Sequence, residues 1–245
     1  MSAEREAVEL VERYARRSDP GRYSPLRPDV WQTLHERQRA LIGLLAQAGL
    51  DDLSRLRLLE VGCGAGGNLL ELLRLGFAPE HLSGIELLPE RLAQARAVLP
   101  DALPLLAGDA LHASVPEGSL DIVFVSTVFS SLLDDAYQQR LADAMWAWLK
   151  PGGAVLWYDF TVDNPRNPDV RGVPLARLRV LFPQGRLRHR RVTLAPPLAR
   201  AVTRLHSAIY TLLNTLPLLR THVLAWAEKP AAHTAAGPAS DIGAR

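Results

Sequence analysis

The sequence predicts an α/β fold, in which a doubly wound, mostly parallel sheet of seven strands follows an N-terminal helical extension. Two observations predict it. From Arg57 onward, short apolar runs alternate with amphipathic stretches, the texture of repeated strand–helix units that feed a parallel sheet. In the first unit, Leu58 to Asn68 reads LLEVGCGAGGN, an apolar strand running into a loop with glycines at 62, 64, 66 and 67. A helix begins near Asn68. Glycine tolerates positive φ and lets backbone approach a ligand closely. At a strand's carboxyl end such a turn forms the nucleotide-binding crevice of a doubly wound sheet. Gly62, Gly64 and Gly67 also satisfy the dinucleotide-binding pattern, so the loop alone does not choose a ligand.

Helical patterns cover about Ala3 to Arg17 and about Pro28 to Ala48. In the second, Trp31, Leu34, Leu41, Leu45 and Ala48 make an apolar stripe at helical spacing. Between them, RRSDPGRYSPLRP is a turn-rich linker. Strands are predicted near 57–61, 82–86, 103–107, 120–125 and 153–159, with helices near 67–75, 89–98 and 136–149. Pro89 and Glu90 suit a helix's first turn, and KPGG after Leu149 stops another. Beyond Phe160 comes the irregular TVDNPRNPDVRGVP, then a basic strand near 186–194, a helix near 197–213 and a last strand near 221–227. The expected division is a helical lid over 1–52 and a core domain over 53–228, with a loop and helical insertion at about 161–215. A disordered tail over 229–245 follows, small, polar and proline-containing.

A chain of 245 residues is most simply one domain with a real core. Its formal net charge of +2 does not by itself point to nucleic acid. Lys150 and Lys229 are the only lysines, so the positive charge is almost all arginine. The single cysteine, Cys63, cannot form an internal disulfide, and a packing role inside the glycine loop suits it. The first residues, MSAEREAVELVERYARR, lack an apolar signal core. No stretch reaches the roughly 20 apolar residues of a membrane span, since Asn214 and Pro217 interrupt the best candidate, 208–219. A soluble, cytoplasmic protein is the expectation.

Five elements stand in order over about Arg57 to Phe160: EVGCGAG (60–66), GIELLPERLAQAR (from Gly84), AGDAL (from Ala107), LDIVFVSTVFSSL (from Leu120) and LKPGGAVLWYDF (149–160). Together they resemble the class I S-adenosylmethionine-dependent methyltransferases. The resemblance implies a Rossmann-like fold and S-adenosyl-L-methionine as cofactor, with S-adenosyl-L-homocysteine as product. It implies a cofactor set of Glu60, Gly62, Cys63, Gly64, Gly66 and Asn68 at the first turn. Glu86 with Leu87 would hold the ribose, Asp109 with Ala110 the adenine, and Ser126 would stand at the methyl-transfer mouth. Tyr14 and Tyr23 would close over the cofactor from the N-terminal segment. Two other readings stand beside this one: a nicotinamide-dependent oxidoreductase, which the first loop and Glu86 also fit, and a non-catalytic scaffold subunit that binds S-adenosylmethionine. The methyltransferase-like LKPGG and GDA, and the lack of a Tyr-x-x-x-Lys pair, weigh against the oxidoreductase.

The acceptor is less legible, because function lives in sites rather than folds. After the fourth strand stand Ser126, Thr127, Val128 and Phe129 instead of the Asn/Asp-Pro-Pro-Tyr element of amino-methylating families. The distinctive stretch WYDFTVDNPRNPDVRGV, 157–173, follows the fifth strand and supplies Tyr158, Asn164, Arg166 and Asn167 as acceptor contacts, with Phe129 opposite. The set is similar to bacterial methyltransferases of small-molecule or glycan type. O-methylation of a hydroxyl is the expectation, with Asp159 as base or as the group that orients one, and His206 as a second proton acceptor. No zinc-type spacing appears among the seven histidines, and Asp159, Asp163 and Asn164 lack a matching acid at Ser126, so no metal is expected. From Arg166 to His206 ten arginines (166, 171, 177, 179, 186, 188, 190, 191, 200, 204) face one acid, Asp169. That segment reads as a charged edge strand, or as a surface for an anionic acceptor, a membrane or, least, RNA, since stacking aromatics are scarce there. Oligomeric state is left open.

Overall fold

The computed structural model describes residues 3–16, 21, 24–165 and 167–231. Tyr23, Arg166 and almost all of the expected tail lie outside the described residues. The seven strands are β1 (Leu58–Val61), β2 (Leu82–Glu86), β3 (Leu105–Ala107), β4 (Leu120–Ser126), β5 (Leu149–Phe160), β6 (Arg186–Leu194) and β7 (Arg220–Glu228). They form one sheet in the order β3-β2-β1-β4-β5-β7-β6. β1 to β5 run parallel, and β7 lies antiparallel between β5 and β6. The chain reverses its winding at β1, whose neighbours are β2 and β4, so the crevice at the carboxyl ends of β1 and β4 is the switch point where ligands bind in such sheets.

Successive side chains of a strand face opposite layers. On one face Leu59, Val61, Val123, Val125, Val155 and Trp157 pack with Leu141, Met145 and Trp148 of α5 (Asp135–Trp148) and Leu178 of α6 (Leu175–Leu181). On the other, Leu58, Ile122, Phe124 and Leu156 meet Leu41, Leu44 and Leu45 of α2 (Pro28–Gln47), with Leu69 and Leu72 of α3 (Gly67–Arg74) and Ala95 of α4 (Pro89–Val98). Each fully buried Leu or Val contributes about 1.5–3 kcal/mol. α2 therefore supplies part of the sheet's second layer, and it is α1 (Ala3–Ala15) that stands beside the crevice.

Three expectations change. The helix read at 197–213 is two, α7 (Pro196–Thr203) and α8 (Ser207–Leu213), because extended His206 turns its ring back and accepts the Ala208 N–H through Nδ1 at 3.1 Å. KPGG does not merely stop α5 but opens β5 with a register shift, where Gly152 takes φ +83° and Lys150 pairs with Asp121 at 2.8 Å. The apolar stripe of α2 fails in its first half: Trp31 and Leu34 are exposed, while Glu36 is buried in its place.

Candidate active site

The glycine loop is held from below by β2. Gly62, Gly64 and Gly66 all have positive φ, and the N–H groups of Gly62 and Cys63 both donate to the Ile85 carbonyl. Glu86, buried at the end of β2, accepts from the Gly64 N–H through Oε2 at 2.7 Å and from the Leu88 N–H through Oε1 at 2.8 Å. It thereby ties the loop to the start of α4. Leu87 is half-buried beside it and Ala110 is buried. Cys63 packs inward, and burial pushes its thiol up to about 12.

Two further carboxylates flank Glu86. Glu60, fully buried on β1, accepts from Asn68 Nδ2 at 2.5 Å through one oxygen, while Oε2 has no partner. Burial raises its pKa to about 8. Asp109 caps the short turn 110–112, accepting from the Leu111 N–H at 2.9 Å and from the Tyr137 hydroxyl at 2.5 Å through Oδ1. Its Oδ2 is buried without a hydrogen bond. Burial and the nearby Asp109 push the Tyr137 phenol up.

The opposite wall is the loop after β4, and it is clamped from all sides. Asp159 accepts from the Ser130 N–H at 3.0 Å and the Phe160 N–H at 2.9 Å, one oxygen each. Gln138 donates to the carbonyls of Phe129 and Leu132 at 3.0 and 2.9 Å. From α1, buried Glu6 accepts from the Leu133 N–H at 2.8 Å and pairs with buried Arg13, which reaches the Ser131 carbonyl. Tyr14 places its hydroxyl 3.4 Å from Ser131 Oγ, and the Arg91 guanidinium lies 4.7 Å over its ring. Arg91 also stands beside Gly64. Tyr14 thus spans the crevice between the two walls. Ser126 ends β4 at the mouth, followed by Thr127 with φ +56°, a left-handed conformation costly for a β-branched residue.

The proposed acceptor residues separate. Phe129 is wholly buried against Trp157, with ring centroids 4.7 Å apart, and supports the wall from beneath instead of facing a ligand. Tyr158 points to the α2 face, its hydroxyl 2.8 Å from Thr193 Oγ1 and its ring stacked on His222. Asn164 and Asn167 belong to a loop that ties its own backbone: the Asn167 N–H donates to the Asn164 carbonyl, the Asp169 N–H to Asn167 Oδ1, and the Gly172 N–H to Asp163 Oδ1. The Arg171 N–H fastens this loop to the Ser130 carbonyl at 2.8 Å. His206 is an exposed helix cap, and nothing in the structure brings it to Asp159. Burial raises Asp159 to about 7, but both its oxygens already hold backbone N–H groups, so its geometry is that of a positioning group.

A second buried polar group escaped the sequence. Arg37 of α2 donates to Asn68 Oδ1 at 2.7 Å and pairs with Glu71 at 3.0 Å, and its guanidinium lies 5.2 Å over the Tyr158 ring. Glu36 accepts the Thr193 N–H at 3.0 Å, which Thr193 aims there by adopting φ +65°. Burial, with Arg37 nearby, lowers His222 to about 4 and keeps its imidazole neutral. The one available signal was the charged pair Glu36-Arg37 on the stripe of an otherwise apolar helix face.

The carboxyl-edge crevice, its positive-φ turn and the acid closing β2 coincide with a family match: residues 58–153 fit the model for a methyltransferase domain. Over those residues the chain matches a methyltransferase domain, and its fold is that of solved S-adenosylmethionine-dependent methyltransferases. The domain is 34% identical over 152 residues to a trans-aconitate 2-methyltransferase of Afipia carboxidovorans, covering 62% of this chain and 54% of that protein. It is 28% identical over 118 residues to a tRNA N(3)-methylcytidine methyltransferase of Schizosaccharomyces pombe, 45% of this chain and 38% of that one. The chain thus spans about half or less of the curated relatives it matches. Among solved structures, phosphoethanolamine N-methyltransferase 1 of Haemonchus contortus superposes with a TM-score of 0.62 at 15% identity, over 95% of this chain and 51% of that one. A methyltransferase of Archaeoglobus fulgidus gives 0.57 at 15%, over 78% and 94%. At such identities the likeness is one of fold, and it includes the methyltransferase domain's sheet. The match decides against the nicotinamide reading of the same loop. Among the described residues no helix is long and apolar enough to cross a membrane.

Proposed function

We propose that this domain moves a methyl group from S-adenosylmethionine to an oxygen of a small polar acceptor. The observation that carries the cofactor half is the pair of buried carboxylate oxygens without a hydrogen bond, Glu60 Oε2 and Asp109 Oδ2, on either side of Glu86; only His112 Nδ1, at 3.7 Å, stands near the second. Buried polar atoms are almost always hydrogen-bonded, so these two ask for donors. An aminoacyl nucleoside with an ammonium, a sulfonium and an adenine amino group supplies donors and positive charge to such a set. In this reading Gly62, Cys63, Gly64 and Gly66 offer backbone, Glu86 holds the ribose, and Leu87 and Ala110 wall the adenine. Asn68 orients Glu60, while Tyr14 and Ser126 stand at the methyl end.

The cofactor supplies an already activated methyl group, so the protein's part is alignment and exclusion of water. The clamped wall 129–133 suits that task. Asp159 acts by fixing Ser130, Phe129 supports the wall, and the loop of Asn164 and Asn167, fastened to Ser130 through the Arg171 N–H, stands on the acceptor side, while Tyr158 packs against the α2 face. A carboxylate acceptor has no proton to lose, and a hydroxyl acceptor releases its proton to solvent, since Asp159 is engaged by Ser130 and Phe160 and His206 is an exposed helix cap. Similarity to trans-aconitate methyltransferases supports a small, oxygen-rich acceptor.

Calorimetric titration with S-adenosylmethionine, S-adenosylhomocysteine and NAD tests the cofactor half. Binding of the two sulfur nucleotides alone, lost in Glu86→Ala, is expected; binding of NAD alone, or of none, overturns it. Labelled methyl uptake into hydroxylated and carboxylated small molecules then tests the acceptor half, which transfer to nitrogen acceptors only would refute.

A further inference from the structure

Between Asp169 and Glu228 the sequence contains no acidic residue, yet it holds ten arginines, at 171, 177, 179, 186, 188, 190, 191, 200, 204 and 220. A solvated face normally mixes both signs of charge. Some of these arginines serve the fold: Arg171 pairs with Asp135, Arg188 with Glu228, and Arg220 donates to the carbonyls of Asn214 and Arg191. Among the described residues Arg179, Arg186, Arg190, Arg191, Arg200 and Arg204 have no carboxylate within salt-bridge distance. Burial, and after it the nearby Arg179 and Arg191, lower the His189 pKa, so these two arginines sit close to the edge strand without a carboxylate between them.

The helical insertion between β6 and β7 adds a second, independent feature. From Leu205 to Leu219 no side chain carries a fixed charge. Tyr210 and Asn214 turn inward, and Leu205, Leu212, Leu216 and Leu218 turn out, at 78%, 67%, 51% and 95% exposure. The remaining exposed positions, His206, Ser207, Ala208, Thr211, Thr215 and Pro217, carry no fixed charge. Single exposed leucines need no explanation, but four on one uncharged insertion are a surface with a purpose. Arg200 and Arg204 precede it and Arg220 follows it. Apolar side chains that enter the acyl boundary, flanked by arginines at headgroup level, are the pattern of an interfacial membrane element.

We propose that the α7–α8 insertion and the neighbouring β6 edge form a docking surface for an anionic lipid bilayer. Charge complementarity selects that occupant: acid-free arginines favour a negatively charged surface, and the leucines favour one with an apolar interior. An RNA would use the arginines but leave the leucines in water, and a second copy of this surface would bring like charges together. The insertion leaves the sheet at the end of β6 and returns at the start of β7, the same edge as the crevice. Docking therefore sets the carboxyl edge of the sheet against the bilayer. The inference does not depend on which acceptor is methylated.

The test is co-sedimentation of the full chain with phosphatidylcholine vesicles and with vesicles containing about one-third phosphatidylglycerol. The anionic vesicles are expected to bind at least about tenfold more tightly, with binding weakening as salt rises from about 0.1 M. Arg191→Gln with Arg200→Gln and Arg204→Gln should remove the salt dependence and most of the binding. Leu212→Ser with Leu216→Ser and Leu218→Ser should release the protein from both vesicle types, with an unchanged far-UV spectrum and melting temperature, since all three residues are exposed. No vesicle binding, or binding indifferent to the leucine substitutions, overturns the proposal. So does a concentration-dependent dimer that the leucine variant dissociates, or RNA binding that the arginine variant loses while vesicles do not bind.

Discussion

The carboxylate at Glu60 gives the sharpest prediction, because burial and chemistry pull it in opposite directions. In the free protein burial holds it at about 8, so at neutral pH it is mostly protonated. A cationic ligand beside Oε2 favours the ionised form, and binding must then expel a proton. The sign follows: apparent affinity rises with pH up to about 8 and levels off above it. If the bound carboxyl returns to the ordinary glutamate range, affinity falls about fiftyfold from pH 8 to pH 6, roughly 2 kcal/mol. The assay is calorimetric titration with S-adenosylhomocysteine, which cannot transfer methyl, in two buffers of different ionisation enthalpy. Wild type should release close to one proton at pH 7. Glu60→Gln, which keeps the oxygen that meets Asn68, should release none and show a nearly flat profile from pH 6 to pH 8. The ligand's own amine titrates identically in both proteins and cancels in their ratio. Equal pH dependence in wild type and Glu60→Gln would refute the reasoning and leave Glu60 a mere anchor for Asn68.

Other outcomes follow from the same geometry. Asp159→Asn presents an amide N–H to one of two backbone donors and should cost about 1–3 kcal/mol, read as a lower melting temperature; KM should rise while the pH profile of kcat keeps its shape, whereas loss of a titration near neutrality would restore Asp159 as a base. Gly62→Ala puts a Cβ 2.6 Å from Val128 Cγ2 at φ +69°, and should cost about 1–3 kcal/mol and the cofactor affinity. Adding Val128→Ala should relieve the clash and not the backbone strain, so full rescue would count against the φ argument. Glu6→Gln leaves buried Arg13 only the more exposed Glu9, at 3.5 Å, as a carboxylate partner; amide exchange over residues 5–15 should quicken while the sheet's protection holds. Cys63, with its thiol at about 12, should resist alkylation at pH 8 until the protein is unfolded.

What could be read early was local. The β1 turn needs residues that accept positive φ, and Gly62, Gly64 and Gly66 announce it without reference to the rest of the chain. Alternation between apolar strands and amphipathic helices likewise fixes the layers, since each element must bury one face. The acid ending β2 stood where expected, though its oxygens hold Gly64 and Leu88. The helix read at 197–213 went wrong for an equally local reason of the opposite sign: apolar spacing continues through Leu205, but the first helix stops at Thr203 and extended His206, whose ring accepts the Ala208 N–H, starts a second.

Partnership across distance was not legible. The sequence by itself determined the fold class, the turn at the crevice and the acids around it, because propensity, periodicity and turn chemistry act over a few residues. Only the tertiary structure decided that Asp159 is occupied by Ser130, that Arg37 joins Asn68 to the Tyr158 ring, and that Glu6 and Arg13 fasten α1 to the wall after β4. These pairs lie from about thirty to well over a hundred residues apart along the chain. A side chain's role there is set by burial and by the one partner within hydrogen-bond reach. Both are properties of packed space, and neither is written in the spacing of the chain.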